Sequence, residues 1–322
     1  MQPTPSAATV APPDAGRAAP VVSARGVTKG YASVPVLTNL DFDVFRGITG
    51  LLGANGAGKT TLLGLILGLH PVESGTLRVG GHDPWTAGPE VRALIGYAPE
   101  HHTLPPDLRA EEFVRHVALL HGLPPAEAIT RSSDALWLVG LGEERFRPLG
   151  TMSTGQRQRV KLAQAVVHDP RLIMLDEPTD GLDPVQRDAM LQLIAQIASD
   201  FEINVILSSH LLDEVEQICD GVVILGDGRV LASGPLDELR GSGEAGITAE
   251  FDGTAEQLHR LAGILQHQGW DVVMEGRQFR VRGEGTAVFD AVRDACVDSG
   301  VGIVRFAPSR LSLEDVFLER LG

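Results

Sequence analysis

The stretch from Gly53 to Thr60, G-A-N-G-A-G-K-T, limits what this chain can become more than any other. It fits the spacing G-x-x-x-x-G-K-[ST]. Ile48 to Leu52 precedes it as a short buried strand, and Thr60 to Gly68 follows as an apolar helix. Glycines let backbone N–H groups converge on phosphate oxygens, and the helix N-terminus adds partial positive charge. Lys59 supplies a full charge to the β- and γ-phosphates of a nucleotide, and Thr60 a hydroxyl to Mg²⁺. Gly53, Asn55, Gly56, Ala57, Gly58, Lys59, Thr60 and Thr61 are the candidate nucleotide contacts. The plain alternative is a glycine-rich turn with no ligand. Lysine is scarce, however: only Lys29, Lys59 and Lys161 occur in 322 residues. One of them falling by chance at this position is improbable.

A phosphate loop of this kind needs a sheet behind it. Val21 to Lys29 and Leu40 to Phe45 read as strands, the second alternating apolar and acidic residues. Leu172 to Leu175 and Asn204 to Leu207 read as buried strands. Helical segments such as Pro184 to Ser199 separate them. Alternating strands and helices predict an α/β fold with a mostly parallel sheet. Between about Glu100 and Arg159 the strands stop. Arg109 to His121 and Pro125 to Leu138 carry helical periodicity, so a helical subdomain at about 100–159 is inserted into a core domain spanning 21–240.

Asp176 and Glu177 follow the strand Leu172 to Leu175. Two acids at a buried strand end are costly unless paired or bound to metal. In an open α/β sheet that strand end faces the ligand. Asp176 is the candidate Mg²⁺ ligand. Glu177 is the candidate general base for an attacking water.

The remainder of the chain divides simply. Residues 1–20 are an Ala/Pro-rich stretch expected to be disordered. Residues 241–246 read as a Gly/Ser linker. From Ile247 the order of elements is strand, helix, strand, strand, helix, strand. That is the split arrangement of a ferredoxin-like α+β domain over 247–322, closed by a helix from Ser312 to Leu321. The net charge is −15, which disfavours binding to phosphate backbones, so no nucleic-acid partner is expected. No apolar run approaches the roughly 20 residues that span a bilayer. The two cysteines, Cys219 and Cys296, form neither a disulfide framework nor a metal motif.

Met152 to Gln156, M-S-T-G-Q, lies upstream of the carboxylate pair. It resembles the signature loop of ABC ATPases, usually L-S-G-G-Q. Ser153, Gly155 and Gln156 match; Met152 and Thr154 depart. The same family, a subset of P-loop NTPases, is recognised in four further places. Tyr31 resembles the aromatic that stacks on adenine. Asp183, in Gly181-Leu182-Asp183-Pro184, resembles the aspartate that links two active sites. His210, after Ser208 and Ser209, resembles the switch histidine of the γ-phosphate. Glu100 stands where the family usually carries a glutamine that joins the core to the helical subdomain. A carboxylate there binds Mg²⁺ or water but cannot donate an amide hydrogen bond.

The resemblance covers about Val21 to Arg240. It implies ATP and Mg²⁺ as cofactors, and Lys59, Glu177 and His210 as catalytic residues. It also implies a head-to-tail homodimer that sandwiches ATP. The glutamate variant, the G-L-D-P loop and the C-terminal Leu313 to Phe317 resemble ATPase subunits of bacterial drug- and antibiotic-resistance exporters. In that group the transmembrane permease is a separate chain. The expected location is therefore cytoplasmic, on the inner face of the inner membrane through the permease. Two alternatives stay open: a soluble ABC ATPase acting on DNA or ribosomes, and an ATPase gated by a ligand-sensing C-terminal domain.

Overall fold

The computed structural model describes residues 19–32, 34–100, 104–241, 246–283 and 286–309. Most of the N-terminal stretch, most of the Gly/Ser linker and the closing helix, with Leu313 to Phe317, lie outside these residues.

The phosphate-loop strand sits inside a six-stranded sheet. In spatial order the strands are β5 (Ile95–Ala98), β6 (Leu172–Asp176), β7 (Asn204–Ser209), β3 (Ile48–Leu52), β8 (Gly221–Gly226) and β9 (Arg229–Pro235). All neighbours are parallel except β8 and β9. Every residue of β3 and β6 is buried, as expected for strands covered on both faces. The ends of β6 and β7 carry Asp176 and Ser209, and so deliver the next residues, Glu177 and His210, to one edge of the sheet.

A second sheet pairs β1 (Val22–Tyr31) with β2 (Val34–Val44) and β4 (Ser74–Val79), all antiparallel. Its apolar face packs against α1 (Lys59–Ile66) and one face of the main sheet in a core that includes Val22, Leu40, Leu63, Ile66, Met174 and Val223. Arg25 crosses from β1 to β2 with two hydrogen bonds, 2.8 and 2.7 Å, to the Asp43 carboxylate.

The other face of the main sheet is covered by α6 (Pro184–Asp200) and by the helices that follow β5. These are α3 (Ala110–Leu120), α4 (Pro125–Leu138) and α5 (Thr154–Val166). Among the described residues no strand lies between β5 and β6. The difference from the sequence reading is at the far boundary: α5 continues seven residues beyond Arg159, so one unbroken helix leads from the inserted helices back to the main sheet. Its start is fixed by a reciprocal cap. Ser153 Oγ accepts from Gln156 N at 3.2 Å, and Gln156 Oε1 accepts from Ser153 N at 3.1 Å. Asp183 caps α6 in a similar way, accepting from Gln186 N at 2.9 Å ahead of Pro184.

The C-terminal unit has the predicted order: β10 (Gly246–Asp252), α9 (Ala255–His267), β11 (Asp271–Glu275), β12 (Gln278–Arg282), α10 (Thr286–Ser299) and β13 (Gly302–Ser309). Its sheet runs β11-β12-β10-β13 and is antiparallel throughout, the ferredoxin-like topology. Its core is separate and is built around Phe251 and Phe279, whose rings meet edge to face at 5.0 Å.

Lysine normally keeps its ammonium in water. Here all three are buried, with Lys29, Lys59 and Lys161 only 8, 7 and 8% exposed. Each therefore has a structural or chemical partner to account for.

Candidate active site

The phosphate loop turns between β3 and α1. Gly58 lies at φ +103°, and a side chain there would meet Leu37 Cδ2 at 2.5 Å. Only glycine holds this turn without strain. The loop walls a cavity of about 460 Å³ lined by Val36, Ala54, Asn55, Gly56, Gly58, Lys59, Thr60, Thr61, Glu100 and Glu177. Gly53 and Ala57 lie behind this surface. The Gly53 carbonyl accepts from Lys59 Nζ at 2.7 Å, which aims the ammonium across the loop.

Lys59 Nζ also stands 3.2 Å from Glu177 Oε1, and both side chains are buried. That oxygen has no partner with hydrogen-bond geometry, so the contact is an ion pair rather than a hydrogen bond. The other oxygen, Oε2, meets His210 Nδ1 at 2.9 Å. Glu177 sits at φ +48°, a left-handed conformation that costs a non-glycine residue about 1–3 kcal/mol. Strain of this kind is retained where the surroundings fix it. Here the Glu177 N–H donates to Ser208 Oγ at 3.0 Å, while Ser208 Oγ donates to Asp176 Oδ1 at 2.6 Å. One serine hydroxyl thus sets the positions of both acids.

The second oxygen of Asp176, Oδ2, lies 3.5 Å from Thr60 Oγ1 and 3.5 Å from Tyr97 Oη. Burial, reinforced by the Asp176 charge, pushes the Tyr97 hydroxyl far above its ordinary range. It stays protonated and acts as a donor to the carboxylate. A threonine hydroxyl converging on a carboxylate is a hard-oxygen donor set, and Mg²⁺ takes such ligands together with phosphate oxygens and water. The residues present therefore fit the ion.

A third buried acid lies behind this pair. Glu214, on α7 (Leu212–Ile218), accepts from Thr179 Oγ1 and Ser209 Oγ, both at 2.7 Å, and faces Arg187 Nε at 3.4 Å. It joins the segment after Glu177, the end of β7 and the first turn of α6.

The structure thus brings together Lys59, Thr60, Asp176, Glu177 and His210, with Glu100 on the cavity wall. Ser153, Gly155, Gln156 and Asp183 lie elsewhere, on exposed helix starts, and do not line the cavity. Their two loops touch. A side chain at Gly155 would meet Gln186 Oε1 at 2.7 Å, and one at Gly181 would meet Thr154 Cγ2 at 3.4 Å. Tyr31 is exposed. Its ring meets His70 edge-on at 5.6 Å, with Lys29 Nζ 5.1 Å from its centroid. It does not line the cavity, whereas Val36 of β2 does. Sequence reasoning missed Ser208, Tyr97 and Glu214 as parts of this network. Ser208 and Tyr97 lay inside segments already singled out. Nothing marked Glu214.

Known proteins resemble this chain in sequence and fold. The ABC transporter family profile matches residues 37–180. The chain is 31% identical over 310 residues to the bacitracin transport ATP-binding protein BcrA of Bacillus licheniformis, covering 94% of this chain and 97% of that one. It is 34% identical over 220 residues to the linearmycin resistance ATP-binding protein LnrL of Bacillus subtilis (strain 168), covering 68% and 70%. Among solved structures, an ATP-binding subunit of an ABC transporter superposes with a TM-score of 0.60 at 32% identity, over 68% of this chain and 92% of that chain. At this identity and coverage, the chain belongs to the ABC transporter family, among its ATP-binding, ATP-hydrolysing subunits.

Proposed function

We propose that the chain binds MgATP, closes on a second copy of itself and hydrolyses the nucleotide to drive an exporter whose permease is a separate chain. The observation that carries this reading is the meeting of Lys59 and Glu177 at the wall of one cavity of about 460 Å³, with His210 hydrogen-bonded to Glu177. Lys59 and the loop N–H groups bind and orient the β- and γ-phosphates. Thr60, Asp176 and Glu100 would hold Mg²⁺. Bound there, the ion neutralises phosphate charge. Glu177, released from Lys59, accepts the proton of the attacking water, and His210 holds the carboxylate in place. Tyr31 stacks on the adenine ring.

Ser153, Gly155 and Gln156 complete the site of the second copy, which explains their exposure on a helix start outside the cavity. Asp183 connects the two sites. The names of BcrA and LnrL refer to bacitracin transport and linearmycin resistance, and support an export role for this chain. No helix among the described residues is long and apolar enough to cross a membrane. Attachment to the cytoplasmic face of the inner membrane is therefore assigned to the permease. Nucleic acid is not expected as a partner of a chain with net charge −15.

The test is sizing with light scattering of the wild type and Glu177→Gln in MgATP. The substitution keeps the shape of the site and removes the base. An ATP-dependent dimer without turnover supports the reading. A monomer that still hydrolyses ATP removes Glu177 from its role.

A further inference from the structure

β5 is the edge strand of the main sheet, and its residues alternate in their use. The Leu94 carbonyl just before it accepts from Arg171 and Leu172 on the β6 side. The carbonyls of Ile95, Tyr97 and Pro99 therefore face outward, where an edge strand normally offers unpaired groups to another chain. None of these three is left to solvent. His168 Nε2 donates to Ile95 O at 3.2 Å, Gln164 Nε2 to Tyr97 O at 3.2 Å, and Lys161 Nζ to Pro99 O at 3.1 Å. Lys161 Nζ also donates to Glu100 O at 2.7 Å. Lys161 and Gln164 share one face of α5 at i, i+3, and His168 follows in the turn just past its end. The two backbones are in close contact: a side chain at Gly96 would lie 1.8 Å from Ala165 O.

Covering an edge needs only neutral donors, and Gln164 and neutral His168 supply them. Lys161 does more. It reaches beyond the paired strand, which ends at Ala98, to the residue that lines the nucleotide cavity. Its ammonium is buried at a cost that burial expresses as a lowered pKa, and the Glu100 charge opposes that lowering. A buried cation thus accompanies the residue that puts a carboxylate where the family usually has a neutral amide. Lys161 also lies about 12 Å along α5 from Ser153, at about 1.5 Å per residue on a single unbroken helix.

We propose that Lys161, backed by Gln164 and His168, is a positioning residue for the nucleotide site: it fixes the loop presenting Glu100 to the helix that begins at Ser153, so that the two loops shift as one body. Nucleotide contact at Glu100 in one copy is then transmitted to the signature loop offered to the other. The inference rests on the ATPase reading above.

The experiment is steady-state ATPase activity of the full chain against MgATP for the wild type, Lys161→Met, Glu100→Gln and the double variant, with melting temperatures alongside. Lys161→Met is expected to lower kcat about tenfold or more, because small displacements of a positioned group have large effects on turnover. KM for MgATP should stay within about twofold, since the phosphate loop is untouched. The double variant should lose less than the product of the single losses, because the lysine acts through Glu100. An unchanged kcat, a rise in KM alone, or fully multiplicative losses would overturn the proposal. If Lys161→Met does not fold, Gln164→Leu, which removes one rung, answers the same question with a smaller fall in kcat at constant KM. Glu177→Gln in the same assay separates the two ideas: turnover that survives it sinks the active-site reading, whatever Lys161 does.

Discussion

Lys59 Nζ and Glu177 Oε1 face each other at 3.2 Å, so the buried cation and acid of the candidate site neutralise one another. On the function proposed above, an arriving nucleotide would compete with Glu177 for Lys59, leaving the carboxylate its contact with His210. Lys59→Met should abolish nucleotide binding. It should also lower stability in urea by about 1–3 kcal/mol, because a buried carboxylate loses its charged partner. Lys59→Met with Glu177→Gln should recover at least half of that loss. Additive losses in the double variant would show that the ion pair does not contribute.

Gly96→Ala places a methyl group 1.8 Å from the Ala165 carbonyl oxygen, a backbone atom that cannot rotate away. Forced overpacking costs about 1–3 kcal/mol and here should reach the upper end. Thermal melting of the variant checks this. Melting at the wild-type temperature would mean that α5 and β5 separate more easily than their contact implies.

His168 gives stability a dependence on pH. Burial, with the stacked His121 ring 3.6 Å away, pulls its pKa from 6.5 down to about 4. Between those values the unfolded chain binds a proton that the folded chain refuses. Stability is therefore complete above 6.5 and falls as pH drops toward 4. Urea midpoints measured near neutrality and near pH 5 should differ in the wild type and differ less in His168→Gln. An equal difference in both would assign the effect to other groups.

Thr179→Val removes one of the two hydroxyl donors of buried Glu214. Leaving part of a buried carboxylate unsatisfied costs about 1–3 kcal/mol. A lower urea midpoint with unchanged KM for MgATP is expected. Loss of nucleotide affinity instead would mean that the Glu214 network reaches the phosphate loop directly.

Much of this could be read in the sequence because it is local. The spacing from Gly53 to Thr60 dictates a strand, a turn and a helix. The acids after Leu175 declare a strand end, and the two-strand, one-helix rhythm after Ile247 gives the second topology. Strands β4, β5, β8 and β9 were not legible. They are short, or they pair with segments distant in the chain, and no alternation separates them from loops. The roles of Ser208, Tyr97 and Glu214 were hidden for a related reason. A hydroxyl or carboxylate becomes part of a network only when tertiary contact supplies the other end. The edge zipper lay between these limits: the spacing of Lys161, Gln164 and His168 was visible, but the carbonyls they meet come from some seventy residues earlier.

The burial of all three lysines has a practical side. Reagents that acylate primary amines, including most fluorescent tags and common cross-linkers, find no freely reachable lysine ammonium among the described residues. Lys59 nevertheless lines the cavity, so slow acylation mapped to Lys59 by mass spectrometry and suppressed by ATP would report occupancy of the phosphate loop without any engineered label.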